Sequence, residues 1–184
     1  MTRDDEVTSA RLMVLEYERI KDEQRTRIGF RDNLLYVTLA AMATVIAVSV
    51  SARDMAYLLL LPPVSLILGW TYLANDEKIS AIGRYIRGEL APRLAAKAGD
   101  GSVIFGWETT HRSDARRSSR KFLQVGVDLL TFCGSPLAAI VGFWATGPTS
   151  AGLVVVSLAE MAAVVFLVAQ IVLYADLRQD MPPE

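Results

Sequence analysis

Apolar residues along this chain gather into four blocks, Asn33 to Ala52, Met55 to Ala74, Phe122 to Ala145 and Ala151 to Tyr174, and the charged residues fall almost entirely between them. Within each block the apolar positions run all round a helix instead of keeping to one stripe, which is the pattern of a helix surrounded by hydrocarbon. About 20 residues at 1.5 Å per residue cover the roughly 30 Å apolar thickness of a bilayer. The pattern predicts an all-α integral membrane protein with four transmembrane helices.

The intervals have patterns of their own. From Glu6 to Asp32 charge alternates with Leu12, Leu15, Ile20 and Ile28 at helical spacing, without a proline, so one long N-terminal helix is expected to run into the first span, with a bend at Gly29. After the second span, Ile79, Ile82, Ile86 and Leu90 recur at steps of three and four while Arg84 and Arg87 fall elsewhere. That is an amphipathic helix, either lying at the headgroup level or packed on the N-terminal arm. Pro92 predicts its end, AGDGS at 98–102 a turn, and ValIlePheGlyTrp at 103–107 a strand or an interfacial anchor. Pro62 with Pro63, and Pro136, predict kinks in the second and third spans. The expected organisation is an arm at 1–32, a transmembrane hairpin at 33–74, a helical and basic loop at 75–121, a second hairpin at 122–174 and a tail at 175–184.

Composition agrees, with 52% hydrophobic residues and a mean hydropathy of +0.32. Of 19 Lys and Arg, residues 1–32 carry seven and residues 75–121 carry ten, leaving Arg53 in the first short connection and Arg178 in the tail. Basic loops stay on the cytoplasmic side, so both termini and the 75–121 loop are expected inside the cell and the chain in the inner membrane. The charged opening MTRDDEVTSAR gives no expectation of a cleaved signal peptide. The net charge of -1 says little about partners.

Enzyme chemistry finds little to work with. His111 and Cys133 are the single histidine and cysteine, one in a loop and one in a span, and no phosphate-binding glycine loop is present. Asp128 and Glu160 would lie about 9 Å apart in membrane depth, too far to share a proton without a shift or kink. No enzyme activity, cofactor or metal is expected. Arg112, Arg116, Arg117, Arg120 and Lys121 crowd the approach to the third span. They either orient that span or meet anionic lipid or a phosphorylated signalling nucleotide. Nucleic acid is not expected, because no stacking aromatics interleave with them.

The remaining candidates are polar groups inside the spans. Gln124, Asp128, Thr131 and Ser135 are spaced by four, three and four along one stripe of the third span. Gly134, Ala138 and Gly142 make a small-residue ridge of the kind that lets another helix approach closely. In the fourth span Glu160 shares a face with Ala163, Leu167 and Tyr174, with Ser157 and Gln170 at its margins. No basic residue within a span can pair with Glu160. It is either protonated and hydrogen-bonded to a neighbouring span, or meets its own copies across an oligomer axis, or lines a hydrated path.

The stretches KDEQRTRIGFRDNLLYVTLA, LLLPPVSLILGWTYLANDEKISAIGRYIR and RKFLQVGVDLLTF resemble a family of four-span bacterial membrane proteins of actinobacterial type. The resemblance implies the four-span topology and brings no catalytic residue with it. By architecture the chain is also similar to small membrane-disrupting effectors of antiviral defence. The expectation is a homo-oligomeric inner-membrane protein that forms or gates a pore in response to a cytoplasmic signal. The alternative is a non-conducting anchor that recruits a cytoplasmic protein.

Overall fold

The computed structural model describes residues 3–98, 105, 117–147 and 150–174. Among them the chain is helical nearly throughout, with no strand. Helix α1 runs Arg3–Ala52, a 3-10 segment Met55–Leu60 leads into α2 at Leu61–Tyr85, and a π segment Ile86–Leu90 leads into α3 at Ala91–Ala98. Helix α4 spans Arg117–Leu129, a second π segment Leu130–Gly134 joins it to α5 at Ser135–Thr146, and α6 spans Ala151–Tyr174. Four helical runs are long and apolar enough to cross a membrane, Ser9–Ala52, Met55–Ala98, Lys121–Thr146 and Ala151–Tyr174. Most of the 98–107 stretch, His111, Arg112, Arg116 and the 175–184 tail lie outside the described residues.

The helical prolines share one local arrangement, and at Pro92 it replaces the expected end of the helix. Pro62 with Pro63, Pro92 and Pro136 each follow a non-α segment, ending at Leu60, Leu90 and Gly134, by two residues. A proline ring collides with the carbonyl four residues back and cannot donate to it. A 3-10 or π turn changes the spacing of that carbonyl, so the chain stays helical through the proline. Hence Pro92 does not end its helix, which continues to Ala98, and Ala91 N–H reaches back five residues to the Ile86 carbonyl. Gly29 does not interrupt α1 either.

The chain divides into two compact units, one of Met1–Arg31 with Asn75–Arg117 and one of Asp32–Ala74 with Ser118–Glu184. In the first unit two helical segments run antiparallel. The half-buried stripe of α1 is Met13, Tyr17, Ile20, Gln24, Arg27 and Arg31, and the covered stripe of the opposing helix is Asn75, Ile79, Ile82, Ile86, Leu90 and Leu94. Side chains join them along their length. Tyr85 Oη donates to Glu16 Oε1 at 2.6 Å, Gln24 Nε2 to the Ile79 carbonyl at 3.3 Å, and Asn75 Nδ2 to the Arg27 carbonyl at 2.7 Å, while Arg31 pairs with Asp76 at 2.8 Å. Of the two positions open to the amphipathic helix, it takes the one against the arm. Beyond Arg84 and Arg93, which pair with Glu77 and Glu89, Tyr17 stacks on Phe105 with ring centroids 3.9 Å apart.

The second unit packs its helices around an apolar centre. Leu34, Tyr72, Leu73, Phe132, Cys133, Val164, Leu167 and Ile171 form its main cluster, and Met42 with Leu61 and Ala139, then Leu59 with Ile140 and Phe143, extend it towards the tight turns. Gly69 permits the closest approach. A Cβ there would stand 3.0 Å from Leu167 Cδ2 and 3.1 Å from Phe132 Cβ. The first tight turn is a Schellman motif closed by Arg53 N–H to Val50 O and Asp54 N–H to Ser49 O, both at 3.2 Å, with Arg53 left-handed at φ 52°. Asp54 then caps the 3-10 segment by accepting from Ala56 N–H at 2.8 Å.

Candidate functional site: polar groups within the four-helix unit

Both acids within the long apolar helical runs sit on packed faces. On α4, the π segment and α5, the covered positions are Asp128, Phe132, Cys133, Pro136, Ala139, Ile140 and Phe143. The steps of four around Leu130–Gly134 match the wider turn of the π segment. Asp128 is therefore buried, whereas Gln124, one turn earlier, is exposed, and Thr131 and Ser135 are half-buried. Ser135 Oγ donates to the Thr131 carbonyl at 3.1 Å, so its hydroxyl is satisfied within its own helix. The four residues do not form one polar surface.

On α6 the covered stripe is Ser157, Glu160, Val164, Leu167 and Ile171. This face is rotated from the expected one. Ser157 is fully buried at its centre, and Tyr174 is exposed. Ser157 Oγ donates to the Val154 carbonyl at 2.9 Å and accepts from Trp144 Nε1 at 3.1 Å. That bond joins α5 to α6 beside an apolar groove of about 470 Å³ lined by Ile140, Val141, Ala145, Leu158 and Met161. Glu160 is half-buried as a residue, but its Oε2 is enclosed and has no hydrogen-bond partner among the described residues.

Other enclosed polar groups were not singled out by the sequence. Thr38, Ser49 and Ser65 are each at most 1% exposed. Thr38 Oγ1 donates to the Leu34 carbonyl at 2.7 Å and Ser49 Oγ to the Asp54 carbonyl at 2.9 Å. Ser65 Oγ has no partner among the described residues. Nothing in the sequence separates Ser65 from a hydroxyl bonded to its own helix; only its neighbours do.

The ridge of Gly134, Ala138 and Gly142 is not a close helix contact within one chain. A Cβ on Gly134 would meet only its own helix, one on Gly142 would meet Leu58 Cδ1 at an ordinary 3.7 Å, and Ala138 is exposed. Of the basic run, Arg117 and Arg120 lie in α4 and Lys121 is half-buried there. Arg112 and Arg116 lie outside the described residues. Among the described residues no three His, Cys, Asp or Glu side chains come together as metal ligands would. No protein-family model, curated protein or solved structure matches the chain.

Proposed function

We propose that the protein is a multi-pass inner-membrane scaffold that does not conduct, and that its paired helices on the cytoplasmic side recruit a protein partner. The observation that carries this reading is the placement of Asp128 and Glu160. Both lie on helix faces turned into the unit, where a pore would need them on a wet axis. The resemblance to four-span bacterial membrane proteins fits it, and the Lys and Arg distribution supports a cytoplasmic side for the helical pair. Leu12 and Leu15, 61% and 48% exposed one turn apart on α1, supply an apolar surface for the partner.

A second reading is favoured by the unpartnered Oε2 of Glu160. In it, copies of the chain assemble into a pore or gated bundle that answers a cytoplasmic signal, such as a nucleotide or anionic lipid held by Arg112 to Lys121, as in a defence effector. Ion flux from liposomes separates the two. The scaffold gives flux no higher than protein-free vesicles, in a preparation whose oligomeric state is measured in parallel. Flux that Glu160→Gln alters overturns the scaffold in favour of the gate.

A further inference from the structure

We propose that the apolar groove between α5 and α6 is a binding site for one acyl chain of a membrane lipid, taken from the leaflet that borders the turn at 146–150. The inference goes beyond the scaffold reading and needs only that the Lys121–Thr146 and Ala151–Tyr174 runs lie in a bilayer.

The floor of the groove is Ile140, Ser157 and Met161, the first two at most 1% exposed and the third half-buried. Its rims stand clear of the helices, Val141 on α5 at 64% and Leu158 on α6 at 58% exposed, with the Trp144 ring beside them. Ala145, exposed and carrying a single methyl group, keeps the end nearest the turn free of bulk. The hydrogen bond from Trp144 Nε1 to Ser157 Oγ ties the two helices at this level.

The chemistry of the lining selects the occupant. A buried water needs two to four polar partners. It finds none, because no polar atom opens into the groove and the Ser157 hydroxyl is already taken by Trp144 and the Val154 carbonyl. Left empty, a space of about 470 Å³ would forfeit the van der Waals contacts of its whole lining. A helix of a second copy, about 10 to 12 Å across with its side chains, would ride on the Val141, Trp144 and Leu158 rims. An acyl chain is narrower, flexible and as apolar as the floor.

The membrane supplies such a chain at the right depth. Val155, one turn before Leu158 on the same face of α6, is 66% exposed, so the groove is continuous with the lipid-facing side of that helix. Trp144 and Ala145 stand three and two residues before Gly147, where α5 gives way to the turn. Tryptophan concentrates at this level, where lipid headgroups meet hydrocarbon. A chain entering beside Ala145 would run inward past Val141 and Leu158 to Met161. No residue from 129 to 159 is charged, and the turn itself reads ThrGlyProThrSer. Selection therefore falls on the chain and not on the charge of its headgroup.

Phosphatidylcholine with a photoreactive diazirine in one chain, reconstituted with the full-length protein in nanodiscs, tests the site. Peptide mapping should find Met161 labelled roughly two- to fivefold more than Val155, the scale of a handful of added van der Waals contacts, although Met161 is the less exposed. Contact with bulk lipid alone would follow exposure and give the reverse order. Ala145→Phe, which sets a ring at the entrance, should remove the excess at Met161 and leave Val155 unchanged, and Val141→Phe should do the same from the rim. Both positions are exposed, and melting checks that the fold is kept. Phosphatidylglycerol with the same chains should label alike. Labelling in order of exposure, an excess at Met161 that both phenylalanine variants retain, or a pattern that follows headgroup charge overturns the proposal. So does protection of the groove in a measured dimer, which would give it to a second copy. Absence of label at Val155 as well would overturn the membrane reading along with it.

Discussion

Asn75 holds the main chain of Arg27 from the opposing helix, its amide donating to that carbonyl at 2.7 Å while its Oδ1 accepts from Arg27 Nη1 at 3.4 Å. Only 6% of Asn75 is exposed, so the amide has no water to turn to. Both ends of the amide are used. Asn75→Ala should cost about 0.5 to 1.5 kcal/mol, since it removes two hydrogen bonds from groups that keep other partners, the guanidinium its ion pair with Glu23 and the carbonyl its place in the continuous helix. Asn75→Asp keeps the shape but loses the donor, and thermal unfolding should place it between the parent and the alanine variant. The adjacent Arg31–Asp76 pair, 24% and 33% exposed, should add no more than about 1 kcal/mol in a double-mutant cycle.

Gly69 is the position where a single methyl should do most harm. Its added Cβ would press on Leu167 and on Phe132, both fully buried and unable to swing aside. Gly69→Ala should destabilise by about 1 to 3 kcal/mol, in the range of overpacked cores. Gly142→Ala is the control, because its nearest neighbour stands at 3.7 Å, and it should melt with the parent. Equal melting of the two variants would show that the α2 to α6 contact is looser than these distances require.

The four apolar blocks and the continuous N-terminal helix were legible because hydrocarbon selects composition over whole turns. The packed face of α1 was not, because Gln24, Arg27 and Arg31 occupy it and hide its period behind their charge. In α6 nearly every residue is apolar, so hydropathy has no phase and cannot say which side is inward. The face expected from spacing runs through Tyr174, whereas the packed one runs through Ser157 and Ile171. Likewise a glycine ridge is visible by spacing, whereas Gly69 matters through what lies opposite it, Leu167 and Phe132.

Arg53 carries a conformational cost that glycine would remove. It holds φ at 52° in the C′ position of the Schellman turn, where a side chain's Cβ crowds the following carbonyl. Arg53→Gly should raise stability by roughly 0.5 to 1 kcal/mol, the left-handed strain outweighing the extra freedom of glycine in the unfolded chain. Arg53→Val, branched at Cβ, should lower it. A melting temperature that falls in both would mean that the arginine side chain contributes more at the turn than its backbone costs.

Tyr85 gives the helical pair an alkaline limit. Its hydrogen bond to Glu16 pushes the phenol above its ordinary value of 10.0, helped by desolvation and by the charge of Glu16. The bond needs the phenolic proton. Stability from it is therefore fully present below the unfolded value near 10 and is lost as pH rises through the higher folded value. Tyr85→Phe should flatten the fall in stability above about pH 10 and change little in its slope near neutrality. An alkaline limb as steep in the phenylalanine variant as in the parent would assign that limb to another group.

Ser157 and Trp144 should respond unequally to removal, although they share one hydrogen bond. Trp144→Phe deletes the donor and leaves Ser157 Oγ still donating to the Val154 carbonyl, so nothing enclosed is stranded and the cost should stay near 1 kcal/mol. Ser157→Ala deletes the acceptor and leaves an indole N–H beside an apolar groove, where hydrocarbon offers it nothing. That variant should lose about 1 to 2 kcal/mol, with Trp144 turning its ring towards the polar interface. Quenching of tryptophan fluorescence by lipids brominated at graded depth reads the movement directly, against a background set by Trp70 and Trp107. If Ser157→Ala leaves both the melting and the quenching depth where they were, the bond does not hold α5 to α6, and apolar packing around Ile140 and Met161 does.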